Sequence, residues 1–258
     1  MSTMSDATLS VQHVEDLDAA TADALLRWGL ALADTKHRIG MRTSEWVNGT
    51  PALEAAVGAS ALTQDELGHA RSYFSMLRQF PGAPEAIGFE NDLAARDVYY
   101  NPRVLNTPWA SWLDVIAVNV LLDRALHIAV AATSTSTYAP LRQRAAKVVQ
   151  EEDYHRIFGD SWLARLAARE DALPQRLQDS LNRFWGTAVA WFGPPDDAIS
   201  DDAISARLYD AGILNATPAQ MRARWEDQVT ALLSKNNLTP PDMKPDWSNW
   251  HPAHRDTA

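Results

Sequence analysis

Two Glu-x-x-His units lie in separate helix-like stretches of this chain. Residues 63–74 read TQDELGHARSYF and residues 150–158 read QEEDYHRIF, so Glu66 precedes His69 and Glu152 precedes His155. Glu and His three positions apart lie on one face of a helix, one turn from each other. Two such units can act together only if their helices face each other in a bundle. This requirement constrains the fold more than any other feature of the sequence.

Helical periodicity dominates the rest of the chain. Apolar residues recur at three- and four-residue steps within 17–39, and further helices are predicted at 52–80, 109–137, 138–168, 173–192 and 218–235. Several prolines mark 81–107 as a long connection, and no stretch alternates as a strand does. Two helix pairs joined by one long crossover predict an all-α protein, a ferritin-like four-helix bundle with additional C-terminal helices.

Three regions are expected along the chain. A flexible N-terminus covers 1–16, the helical domain covers 17–238, and an extended tail rich in Pro and Trp covers 239–258. The acidic stretch DDAISDDAI at 196–204 is predicted to be a solvated loop.

Composition excludes several classes of function. The chain has no Cys, which rules out disulfides, Cys-ligated iron–sulfur clusters and thiol nucleophiles. Its formal charge of −10 argues against a nucleic-acid or anionic membrane surface. The first ten residues lack the pattern of a signal peptide, and no apolar run is long enough for a membrane span. We therefore expect a cytoplasmic protein.

The predicted bundle brings metal-ligating residues together. In ferritin-like bundles, one carboxylate from each of two helices joins Glu-x-x-His units from the other two around two metal ions. Oxygen and imidazole ligands suit iron or manganese. Asp123 is the predicted ligand of the third helix, because its neighbours in VNVLLDRALHIAV are almost all apolar and an unbound Asp would be costly there. The other predicted ligands are Glu66, His69, Glu152 and His155, with Glu66 and Glu152 as the candidate catalytic residues.

The first helix leaves two candidate ligands open. His37 continues an apolar stripe of that helix, and Asp34 lies one turn away on nearly the same face. Two further carboxylates, Asp65 and Glu151, directly precede the ligand glutamates. Each is predicted to hold the His ring of the opposite unit, because a metal-bound His usually donates its second ring N–H to a carboxylate or carbonyl.

Several stretches resemble the phenylacetyl-CoA epoxidase family. QDELGH, LLDRALH, EEDYH and LNRFWGTAVAWFGPPDD at 181–197 resemble its catalytic subunit, whereas RTSEWVNGTPALE at 42–54 is more similar to the non-catalytic partner subunit. The resemblance runs from about residue 25 to 250. It implies a ferritin-like fold and, in the catalytic branch, a di-iron centre that activates dioxygen and oxygenates an aromatic acyl-CoA thioester with electrons from a separate reductase. The ligands of that branch match Glu66, His69, Asp123, Glu152 and His155.

Three departures from the family pattern bear on function. The non-catalytic branch lacks the Glu-x-x-His ligands, which this chain keeps in both units. The first-helix Glu of the catalytic branch falls here near Lys36 or His37. A family Lys one turn before the first metal Glu, which is thought to help hold the thioester, is Leu62 here, and this weakens the expectation of an acyl-CoA substrate.

Three functions are compatible with these residues. We favour a non-haem di-iron oxygenase or oxidase with two Fe ions, or Mn in their place, acting with O2 on a small aromatic or acyl(-CoA) substrate. A reductase and a homologous subunit are its expected partners in a homo- or hetero-oligomer. The second hypothesis is a non-catalytic structural subunit of a multicomponent oxygenase. Iron storage or peroxide detoxification ranks last, because the chain has no Cys-rich iron module and continues well beyond its fourth helix.

Overall fold

A computed structural model describes residues 10–85, 87, 96, 98–194 and 203–257 of the chain. Seven helices form within these residues. They are α1 (Ala19–Ser44), α2 (Leu53–Leu77), α3, α4 (Ala139–Ala167), α5 (Leu173–Trp191), α6 (Ala203–Asp210) and α7 (Pro218–Lys235). The third, α3, is continuous through Trp112–Val118, a π-helical segment Asn119–Asp123 and Arg124–Ala131. The described residues contain no strand, and the prediction of an all-α, ferritin-like bundle is confirmed.

The first four helices form the core of the bundle. Helix α1 packs along α2, and both α2 and α3 pack against α4. Helices α2 and α4 run antiparallel, since Glu54 pairs with Arg165 at one end and His69 contacts Glu151 towards the other. Helices α5 and α7 pack against α3 from outside. Trp225 of α7 donates its indole N–H to a carbonyl of the π-helical segment at 2.8 Å.

Helix α1 is buried over most of its surface. It begins after Asp18, whose carboxylate accepts the backbone N–H of Thr21 at 3.0 Å and caps the first turn. From residue 30 to 40 only Arg38 is not buried. A Cβ added at Gly40 would lie 3.1 Å from the Cβ of Glu66, so this glycine lets α1 approach α2 closely beside the first Glu-x-x-His unit.

Both chain ends pack back on the bundle where they are described. Val11 exchanges backbone hydrogen bonds of 2.8 Å with residues 137 and 139, at the start of α4, whereas residues 1–9 of the predicted N-terminal region lie outside the described residues. The tail is mostly non-helical, and the Trp250 indole donates to the carbonyl of Ala190 at 3.0 Å. Most of the acidic stretch 196–204 also lies outside the described residues. The domain boundaries stay a prediction.

Along the described part of the chain, no helix has both the length and the apolar character that crossing a membrane requires.

Candidate metal centre

Helices α1 to α4 each send polar side chains into one buried cluster. Ligand atoms of four buried residues lie within 4.8 Å of one another: Glu66, Asp123, Glu152 and His155. The Glu-x-x-His spacing places Glu and His on one face of α2 and on one face of α4, and these two faces lie towards each other. The structure therefore brings together most of the ligands expected from sequence; their role as ligands stays a prediction.

The π-helical segment of α3 positions Asp123. Asn119 lies at the start of this segment and donates its amide N–H to the Asp123 carboxylate at 3.1 Å. Asn119 packs against Gly159 of α4, where an added Cβ would lie 1.8 Å from the amide oxygen of Asn119. The absent side chain at Gly159 thus makes room for the residue that orients Asp123. Short π-helical turns inside α-helices are frequent at functional sites.

The two histidines have the same arrangement. Each turns its Nδ1 towards the cluster and its Nε2 towards a carboxylate of the opposite helix. For His69, Nε2 lies 2.8 Å from Glu151, and Nδ1 lies 3.6 Å from Glu152 with no hydrogen-bond partner in the described residues. For His155, Nδ1 lies 3.1 Å from Asp123 and Nε2 lies 3.4 Å from Asp65. Asp65 and Glu151 thus make the cross-unit contacts expected from sequence.

Lys36 of α1 reaches the centre of the cluster. Its Nζ lies 3.1 Å from Glu66 and 3.5 Å from Asp123, and it makes a still shorter contact with Glu152. The Lys36 side chain is fully buried, and the three carboxylates are at most 3% exposed. An ammonium therefore lies among the carboxylates of three other helices.

The charges of the cluster largely balance one another. Burial opposes the charge of Lys36, but Glu152, Glu66 and Asp123 outweigh burial and hold the pKa of Lys36 well above its ordinary value. Burial also opposes ionisation of Asp123, yet Lys36 and His155 hold its pKa far below the ordinary range. Burial and the neighbouring Asp123 raise the pKa of Glu66 to about 7. Burial alone would lower the pKa of His155. The neighbouring carboxylates, of which Asp123 has the largest effect, raise this pKa well above its ordinary value.

Asp34 and His37 lie outside this group, in contrast to the expectation for the first helix. Arg96 binds the Asp34 carboxylate through both of its oxygens at 2.6 and 2.7 Å, and the backbone N–H of Tyr100 adds a third contact at 2.7 Å. His37 packs against Phe74, with ring centroids 6.5 Å apart, and burial lowers its pKa to about 4. Lys36 is the residue of α1 that contacts the cluster.

The donor set suits a divalent metal in kind, but a two-metal centre does not fit the arrangement described. Two imidazoles and three carboxylates are ligands that iron and manganese accept, and the Nδ1 of His69, which has no hydrogen-bond partner among the described residues, points into the site. Carboxylates bind divalent metals at about 2.0–2.2 Å, however, and here two of them lie 3.1 and 3.5 Å from an ammonium that takes the central space. Two metal ions would also bring four more positive charges beside Lys36.

A helical bundle with paired Glu-x-x-His units around a buried polar cluster defines the ferritin-like class of carboxylate proteins. Within that class, the family model described as "Phenylacetic acid catabolic protein" matches residues 1–256, and this chain belongs to that family. The family assignment associates the chain with phenylacetate catabolism.

Two different subunits of one enzyme, the 1,2-phenylacetyl-CoA epoxidase of Escherichia coli (strain K12), are similar to this chain. The chain is 30% identical to the first of them over 197 residues, an alignment that covers 76% of this chain and 62% of that protein. It is also 30% identical to the second over 221 residues, covering 84% of each protein. The chain therefore spans less than two thirds of the length of the first of these relatives.

The helical pattern of α1 favours His37 or Asp34 as the ligand, and the family resemblance places that position near Lys36 or His37, so neither selects Lys36. Apolar periodicity selects a face only where the opposite face is polar, and α1 is buried on nearly all sides. The available signal was the line Gly29, Leu32, Lys36 and Gly40 at three- and four-residue steps, in which two glycines mark the face that lies against α2.

Proposed function

We propose that this chain is a non-catalytic subunit of a multicomponent oxygenase of the phenylacetyl-CoA epoxidase type. Its carboxylate–histidine cluster then holds the bundle together without activating oxygen. The similarity to two subunits of one epoxidase supports assembly with a homologous subunit, which would carry the oxygen chemistry on an aromatic acyl-CoA thioester.

One observation carries this proposal: the Lys36 ammonium at the centre of the cluster. The side chain has no exposed surface, so leaving the cluster would move an unpaired ammonium into an apolar interior. Breaking a buried ion pair in this way costs about 3–5 kcal/mol. Metal binding would have to supply that energy before any net affinity resulted.

The di-iron oxygenase favoured by the sequence analysis is the second candidate. The specific observation in its favour is the retained donor set, including a His69 Nδ1 that has no hydrogen-bond partner among the described residues. In that case O2 and a reductase would act on this chain directly, and Lys36 would have to leave its carboxylate partners when metal binds.

Metal content distinguishes the two candidates. The wild-type protein is expressed in iron-supplemented medium and, separately, with added manganese, and its metal is measured by elemental analysis. Glu66→Ala and His155→Ala are the matched variants. We expect no stoichiometric metal in the wild type, and no O2 uptake with phenylacetyl-CoA and a reductase unless a homologous oxygenase subunit is added. Close to two irons per chain, lost in both variants, would refute this proposal and establish the second candidate.

A further inference from the structure

We propose that Lys36 by itself keeps this centre free of metal, and that the surrounding residues form a latent metal site that a carboxylate at position 36 would load. This inference rests on the proposed non-catalytic function. It goes further because it identifies one side chain as the determinant of metal binding.

The site retains the carboxylates that orient metal-binding histidines. Glu151 holds the ring of His69, and Asp65 holds the ring of His155, which leaves each Nδ1 directed at the cluster. Carboxylates behind the ligands fix the orientation of metal-binding histidines in this way. In a cluster whose only task was to pair charges, nothing would require a His69 Nδ1 that lacks a hydrogen-bond partner among the described residues.

Lys36 lies where a ferritin-like bundle has the carboxylate ligand of its remaining helix. Glu66 and His69 come from α2, Asp123 from α3, and Glu152 with His155 from α4. In this class of bundle the remaining helix supplies a carboxylate. Lys36 is the residue of α1 whose side-chain atom contacts carboxylates of all three other helices, so it occupies the place of that carboxylate.

A Glu at position 36 would change both the space and the charge at the centre. Its carboxylate oxygens end one bond closer to the backbone than the Lys ammonium does, so the space taken by Nζ becomes vacant. The positive charge at that point becomes negative, and four buried carboxylates then lie together without the ammonium that three of them contact now. Buried carboxylates without partners are strongly unfavourable, and divalent cations are the ligands that relieve this repulsion.

The test compares the wild type with Lys36→Glu, Lys36→Gln and the surface control Lys235→Glu, which makes the same charge change at an exposed position. Each protein is purified in EDTA, dialysed against Mn(II) or anaerobic Fe(II), and desalted. Bound metal is measured by elemental analysis, and thermal unfolding is recorded with and without Mn(II).

We expect Lys36→Glu to retain at least about one metal ion per chain and to gain about 5–10 °C in Tm with excess Mn(II), as tight binding to the native state alone requires. The wild type and Lys235→Glu should bind at least tenfold less metal and show no such shift. Lys36→Gln removes the ammonium without adding a negatively charged ligand, so its shift should be smaller than that of Lys36→Glu.

The outcomes separate this inference from the proposed function. A metal-free wild type together with a folded, metal-free Lys36→Glu would overturn the latent site and leave the proposed function standing. Stoichiometric metal in the wild type would overturn both. If Lys36→Glu folds only when Mn(II) is present during expression, the inference is supported. If neither Lys36→Glu nor Lys36→Gln folds or gains stability with metal, it is rejected.

Discussion

Replacing Lys36 by Met, in the presence of EDTA, should strongly destabilise this protein. Met keeps most of the length of the Lys side chain and removes only its ammonium. The substitution leaves Glu66, Asp123 and Glu152 buried without their shared cation. The native state therefore retains repulsion among carboxylates that water solvates once the chain unfolds.

The magnitude follows from the contacts. An ammonium and a carboxylate 3.1 Å apart attract each other by about 5 kcal/mol at an effective dielectric constant of about 20. Part of that attraction offsets the cost of burying Lys36, and uptake of a proton by a carboxylate would relieve part of the loss. The measured cost of removing one partner from a buried pair is about 3–5 kcal/mol, and we expect a value in this range. For a chain of this size, it lowers Tm by about 6–20 °C.

Urea denaturation at constant m value measures this change, and a double-mutant cycle identifies its cause. Lys36→Met is combined with Glu152→Gln, which removes one of the repelling charges. The double variant should be more stable than the sum of the two single effects predicts, by about 0.5–3 kcal/mol. The surface variant Lys235→Met should stay within about 0.5 kcal/mol of wild type. If Lys36→Met matched that control, or if the cycle were additive, Lys36 would not be the central counter-ion.

Three further substitutions test the surroundings of the cluster. Asp34→Asn breaks a buried bidentate pair with Arg96 and should cost about 3–5 kcal/mol in urea denaturation, with metal content unchanged because Asp34 lies outside the cluster. Gly159→Ala places a Cβ 1.8 Å from the amide oxygen of Asn119 and should cost about 1–3 kcal/mol; an unchanged urea midpoint would contradict this contact. Thr217→Ala removes the N-cap of α7 and should cost about 1 kcal/mol by thermal unfolding, whereas Thr217→Ser should restore most of it.

Several features of the site could be predicted because they depend on neighbours along the chain. The three-residue spacing of Glu66 and His69, and of Glu152 and His155, places each pair on one helix face whatever the rest of the fold does. Asp123 is surrounded in sequence by apolar residues. Its burial and its need for polar partners could therefore be predicted from the neighbouring residues alone. The order of the other helices followed from apolar periodicity and from the prolines of the long connection, whereas α6, whose first two residues lie in the stretch predicted to be a loop, was not predicted.

The π-helical segment could not be predicted in the same way. Its sequence, Asn119–Asp123, is ordinary for a buried helix, and the turn geometry depends on contacts from other helices. Trp225 of α7 donates to a carbonyl of the segment, and Gly159 of α4 leaves room for Asn119. Both contacts come from residues far away in the sequence.

The sequence by itself determined that the chain forms helices and that five carboxylate and histidine side chains meet inside a bundle, because helical spacing and local apolarity are properties of neighbouring residues. Only the tertiary structure decided how α1 is oriented. That helix is buried on nearly all sides, so its own residues gave no preferred face. Packing against α2 directs Lys36 into the cluster, and Arg96 from the long connection binds Asp34 elsewhere. The choice between a metal and an ammonium at the centre thus depends on contacts between residues that are distant in sequence.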